Sequence, residues 1–186
     1  MCDLLRLLPL FQPQLNNGGD LQKIPAGTPI VGRSKFHFAA RSNKALDTVK
    51  PQLERVARMA LSVSAVDFGV IQGKRSVDEQ AELVAQGLSQ TMASKHLTGD
   101  AIDVAAYVDG VLTWESDPYL KIATSFVYAA QAEGVGIRWG GAWHIPDIRT
   151  CAKKNDPGQT MLELYKATRK RQGRKVFLDL GHFELA

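Results

Sequence analysis

The run Ala101-Ile102-Asp103-Val104-Ala105-Ala106 alternates as a β-strand does, with Ile102, Val104 and Ala106 on one face and Ala101, Asp103 and Ala105 on the other. That puts a carboxylate on an otherwise apolar strand. Burying it bare would be very costly, so the fold must bring it a cation, either a metal ion or an arginine or lysine. Just upstream, Thr98-Gly99 turns the chain easily, because glycine accepts backbone angles that other residues avoid. His96 lies seven residues before Asp103, and the turn lets it fold back over the same face and offer an imidazole nitrogen. Taken by spacing alone, an exposed loop histidine beside an ion-paired aspartate fits these residues as well.

The remaining composition narrows the field. At 186 residues, with 45% hydrophobic and 23% charged side chains, the chain suits one soluble domain large enough for a real core. Two cysteines, Cys2 and Cys151, give neither a disulfide framework nor a Cys-x-x-Cys metal spacing. The apolar run Leu4 to Phe11 follows Asp3 and is broken by Pro9 and Pro13. It reads as neither a membrane span nor a signal peptide, so no stable membrane insertion is expected. Residues 1–37, rich in Pro, Gly and Asn, read as an extension, and 38–186 as the folded domain. A net charge of +4 favours an anionic partner or surface only weakly.

Local signals then place the elements. Pro51 suits the first turn of a helix over about 51–62, with Leu53, Val56, Ala57, Ala60 and Leu61 on one side. Val66 to Ile71 reads as a strand leading to Gly73-Lys74-Arg75. Ser76-x-x-Glu79 is a capping box that opens a helix over 77–86, so Arg75 sits between a strand end and a helix start. Asp109-Gly110 predicts a hairpin that pairs the Asp103 strand with residues 111–114. Asp117-Pro118 starts a helix to Gly134, and Asp156-Pro157 another to about Gln172. The basic run Lys166 to Lys175 has as its plain reading a solvated helix end. Its sharper reading is contact with phosphate, but no nucleic-acid motif accompanies it and no nucleic-acid partner is expected. Val176 to Asp179 reads as a closing strand.

Ser94-x-His96-x-x-Gly99-x-Ala101-x-Asp103, joined to Asp179-x-x-His182 near the other end, resembles the zinc D,D-peptidases of bacterial cell walls. That family includes D-Ala-D-Ala carboxypeptidases and phage L-alanyl-D-glutamate endolysins. The resemblance covers about residues 38–186 and also takes in Trp139-Gly-Gly-x-Trp143. It implies an α+β fold, a small antiparallel sheet with helices packed on it and a zinc site at the sheet. It further implies His96, Asp103 and His182 as zinc ligands, Asp179 as general base and Arg75 as the group that polarises the substrate. Ser94, Gln80, Trp139 and Trp143 would line the substrate. His144, with Asp147 three residues after it, is a rival third ligand, ranked lower because no acid lies three residues before it. Glu184 would support a ligand. An aspartate rather than a glutamate as base is a mark of the endolysin branch, whereas the helix after Asp156 departs from the shortest members.

The function so implied is zinc-dependent hydrolysis of an amide in the stem peptide of peptidoglycan by a monomeric phage or prophage endolysin. Such a protein would be made in the bacterial cytoplasm and would act on the wall after release through a membrane lesion. The alternative is a zinc-stabilised wall-binding module that does not cut.

Overall fold

The computed structural model describes residues 34–89 and 91–186; the opening extension up to residue 33, with its apolar run and Cys2, lies outside them. Helix α1 (Ala40–Leu46) leads to α2 (Pro51–Val63), which Pro51 opens and whose Leu53, Val56, Ala57, Ala60 and Leu61 are buried as the spacing predicts. Strand β1 (Asp67–Gln72) follows, then α3 (Val77–Ala85). The Ser76 hydroxyl accepts from the Glu79 amide at 3.1 Å and the Glu79 carboxylate accepts from the Ser76 amide at 2.7 Å, which completes the capping box. A single 3₁₀ turn over Lys95–Thr98 ends at Gly99, whose φ of 72° lies in the left-handed region that glycine tolerates. From there the chain enters β2 (Ala101–Val108), turns at Asp109-Gly110 and returns as β3 (Val111–Thr113). Helix α4 (Ser116–Glu133), β4 (Ile137–Trp139), α5 (Pro157–Arg171) and β5 (His182–Leu185) complete the order.

The architecture is α+β, as expected. The strands form an antiparallel sheet in the order β1-β2-β5-β4, and β3 also pairs with β2. Since β1 already covers residues 103–107 of β2, β5 and β3 must lie end to end along its other edge, opposite residues 101–103 and 106–108. Helix α4 supplies much of the core, and its Phe126 ring stacks on Phe183 of β5 with centroids 3.8 Å apart. Phe183 is fully buried, a contribution of about 1.5–3 kcal/mol from removing its ring from water.

Alternation along β5 decides where the chemistry goes. Phe183 and Leu185 face the core, so His182 and Glu184 take the opposite face, and the register sets His182 directly across from Asp103.

Three features depart from the sequence reading. Residues 176–179 form no strand, and Val176, Phe177 and Leu178 stay 38–47% exposed. Having the right residue types is not enough without a neighbour offering a ladder; here the main chain is held at Asp179, whose amide donates to the Gly140 carbonyl and whose carbonyl accepts from the His182 amide, both at 3.1 Å. The strand forms three residues later, where Phe183 and Leu185 find the core. Helix α1 and strand β4 were not foreseen: α1 begins without a side-chain cap, and β4 is only three residues long. The basic run after Lys166 remains a solvated helix end, with the Arg169 guanidinium donating to the Lys175 carbonyl at 2.8 Å and lying over the Tyr165 ring.

Candidate metal centre

His96, Asp103 and His182 offer ligand atoms that all lie within 4.8 Å of one another, brought together from the 3₁₀ turn, the middle of β2 and the start of β5. The two imidazole rings meet edge to face with centroids 5.2 Å apart. Each histidine is oriented from behind. His96 Nδ1 donates to the Gly73 carbonyl at 2.8 Å, which leaves Nε2 as the nitrogen with a free lone pair. That Nε2 is buried, has no hydrogen-bond partner and sits 3.3 Å from Asp103 Oδ2. His182 Nδ1 lies 3.0 Å from Asp103 Oδ1, while its Nε2 lies 3.1 Å from the Glu184 carboxylate.

Electrostatics follow from this crowding. Burial alone would raise the Asp103 carboxyl, but its hydrogen bond to His182 and the closeness of both imidazoles outweigh it and hold Asp103 well below the usual carboxylate range. Burial would likewise lower His182. Its contacts with Asp103 and Glu184 prevail and push it up to about 9. An acid between two imidazoles, with one buried nitrogen left orphaned, is a donor set that suits a divalent cation such as zinc. Glu184 is placed to fix the tautomer of His182 were that ring to ligate an ion.

Arg75 is the fourth charged side chain here. Its guanidinium reaches Asp103 Oδ2 at 3.6 Å and is braced by the Gln80 side-chain oxygen at 2.6 Å. Asp179 stands at the solvent-open rim. Loss of water around its carboxyl, and then the Asp103 charge, push it above the ordinary value.

The other candidates separate. Gln80 is fully buried, and its amide nitrogen is committed to Ser89 Oγ and the Thr91 carbonyl, so it positions Arg75 rather than lining the cleft. Trp139 is corrected from cleft wall to core: it is fully buried, with its indole N–H on the Leu180 carbonyl at 2.9 Å. The hydroxyl of Ser94 accepts from the His96 amide at 3.3 Å and so caps the turn that carries His96. Trp143 does flank the site, its ring centroid 5.4 Å from that of His182 and 6.2 Å from that of Phe177. The rival His144 is exposed and stacks on Tyr165, while Asp147 pairs with Arg149 at 2.6 Å.

The sequence reading missed Arg138. It bridges Glu184 at 3.4 Å and the Trp143 carbonyl at 2.7 Å, and its only local signal was a cation between two apolar strand residues.

A model of the phage L-alanyl-D-glutamate peptidase family matches residues 34–156. The chain belongs to that family. This peptidase is 40% identical over 113 residues to the L-alanyl-D-glutamate peptidase of Escherichia phage T5, across 59% of this chain and 82% of that one. It is 30% identical over 107 residues to a protein of the same description from Listeria phage A118, across 56% of this chain and 36% of the other. Among solved structures it is similar to the Serratia marcescens L-Ala D-Glu endopeptidase ChiX, with a TM-score of 0.59 and 36% identity over 81% of this chain and 90% of that one. It is therefore a hydrolase of the peptidoglycan-cleaving kind, and a wall-binding module that does not cut is not favoured. The family match stops at residue 156, so β5 and the place of His182 beside Asp103 come from the geometry and not from that match.

Proposed function

We propose that residues 38–186 form the catalytic domain of a zinc-dependent endopeptidase that cuts the L-Ala-D-Glu amide in the stem peptide of peptidoglycan. His96, Asp103 and His182 would hold the ion. Bound there, zinc supplies Lewis acidity and makes hydroxide available near neutral pH. Asp179, at the rim, takes a proton from the attacking water and returns it to the leaving amine. Arg75, fixed by Gln80, donates to the carbonyl oxygen as negative charge builds on it. Trp143 walls the cleft beside His182 and limits its water. The observation that carries this reading is the buried, partnerless Nε2 of His96 aimed at Asp103. The bond is assigned by the relatives' names, and the fold of the site agrees with amide hydrolysis in general. Synthesis in the bacterial cytoplasm and release to the wall through a separate membrane lesion fit an endolysin, acting as a monomer.

Digestion of purified peptidoglycan, with mass spectrometry of the released fragments, tests it. New D-Glu amino termini are expected, lost on chelation, restored by zinc and abolished in Asp179→Asn. New D-Ala termini would assign a different bond, and turnover that survives chelation would remove the metal from the mechanism.

A further inference from the structure

Trp114 is an exposed aromatic that the chemistry above leaves unused. It is 64% exposed and lies 10° from parallel to Tyr119, with ring centroids 6.3 Å apart. Tyr119 is itself buried, its hydroxyl 3.4 Å from the Thr113 carbonyl and from the Ala106 amide. One side of the indole is thus backed by a fixed ring, and its other side is open to water. A large ring backed by a buried neighbour and open to water offers a flat apolar surface on which a ligand can stack.

Its location names the ligand. Strands β3 and β5 lie end to end on one edge of β2, with His182 opposite Asp103 and Thr113 opposite Ala106. Three residues of strand separate the pairs, about 10 Å. Trp114 leaves β3 at the next position, toward the Gly181 carbonyl that accepts from Val104. Tyr119 closes the gap, its ring edge 3.6 Å from where a Cβ of Gly181 would stand. The Tyr119 half of the platform therefore sits beside Gly181, the residue before His182.

We infer that Trp114 is a subsite for the amino-sugar ring to which the stem peptide is attached. In peptidoglycan the L-Ala nitrogen is joined through a lactyl group to muramic acid. From the L-Ala carbonyl back to the sugar is therefore one residue and one short acyl unit, about 7 Å when extended. With half a pyranose ring added, the span approaches the roughly 10 Å between the pair that holds His182 and the pair after which Trp114 leaves β3. A D-Ala-D-Ala bond lies several residues further along the stem, too far for its sugar to meet this ring. The pyranose offers an apolar face of C–H groups that stacks on an indole, and the Tyr119 backing keeps the entropy cost of that stacking low. This inference rests on the L-Ala-D-Glu reading, and the test separates the two.

Two measurements on the zinc-loaded protein decide it. In the first, N-acetylmuramyl-L-alanine, which holds no scissile bond, is titrated while the Trp114 indole N–H is followed by NMR. A saturable shift of that signal, larger than with N-acetyl-L-alanine, is expected whichever bond the enzyme cuts, and its absence overturns the subsite. In the second, KM is compared for an L-Ala-D-Glu peptide carrying either an N-acetylmuramyl or a plain acetyl group. The sugar should lower KM about fivefold or more. Trp114→Ala should bring the ratio near one, and Trp114→Phe, which keeps a ring on Tyr119, should retain most of it. A ratio of one in the wild type, or an unchanged ratio in Trp114→Ala, overturns the proposal. If neither peptide is cut but the indole shift is present, the bond assignment falls and the sugar subsite stands.

Discussion

The two histidines of the centre differ in what stands behind them. His96 leans on a main-chain carbonyl, which no side-chain replacement can remove, whereas His182 leans on Glu184, which Arg138 holds in turn. Glu184→Gln keeps the shape but removes the charge that settles the His182 tautomer. Zinc affinity, read by competition with a chromogenic chelator, should fall roughly 10–100-fold while the fold is retained. A second carboxylate acts on stability instead. Burial would raise Asp100, but hydrogen bonds from Lys50, at 2.6 Å, and from Thr98 keep its carboxyl below the usual value. A lowered folded-state value means that the stabilisation is complete above the unfolded aspartate pKa of about 3.9 and drains away as pH falls through the lower native value. Unfolding followed by circular dichroism from pH 5 to pH 2 should show a steep acid limb, shallower in Asp100→Asn.

Among the elements, the link between β4 and the segment before β5 is the tightest. A Cβ on Gly140 would stand 2.2 Å from the Asp179 carbonyl oxygen, and that same segment is tied by the bond from the Asp179 amide to the Gly140 carbonyl. Gly140→Ala must push Asp179 outward. Its kcat should drop about 100-fold, the cost of roughly 1 Å of misplacement, with a smaller loss of zinc affinity because His182, whose amide donates to the Asp179 carbonyl at 3.1 Å, is also anchored by its place in β5. Equal losses of both would show that the segment moves as a block. How much of each element was legible followed from how local its causes are. The capping box at Ser76, the proline starts of α2 and α5 and the Asp109-Gly110 hairpin are each set by residues a few positions apart, and all were readable. So was the Asp103 strand, because alternation is local too. Whether 176–179 or 182–185 becomes the closing strand depends on which one meets Phe126 and the edge of β2, and no short window holds that information. The same limit explains Trp139 and Gln80: their types and positions matched a cleft, and only packing shows that both point inward.

For the molecule as a whole, one buried ring joins core to catalysis. Phe183 lies between Phe126 and Trp139, and its neighbours in sequence are the proposed ligand His182 and Glu184, which hydrogen-bonds to it. Phe183→Ala should cost about 3–5 kcal/mol, seen as a large fall in Tm, and should weaken zinc binding in parallel because β5 loses what fixes its register. Zinc should recover part of the lost Tm, since a ligand of the folded state stabilises it by mass action. Charge is distributed just as unevenly. The ten residues Lys166 to Lys175 hold six of the 23 cations and none of the 19 acids, so the rest of the chain is net negative. The plan of the sheet has a further outcome for the cell that makes the protein. Asp103 and His182 stand 79 positions apart, and a slip of one residue in β5 would turn His182 inward and set Phe183 over the metal site. On the proposed ligand set, a half-made or clipped copy lacking a docked β5 would offer the ion only His96 and Asp103 and should cut nothing.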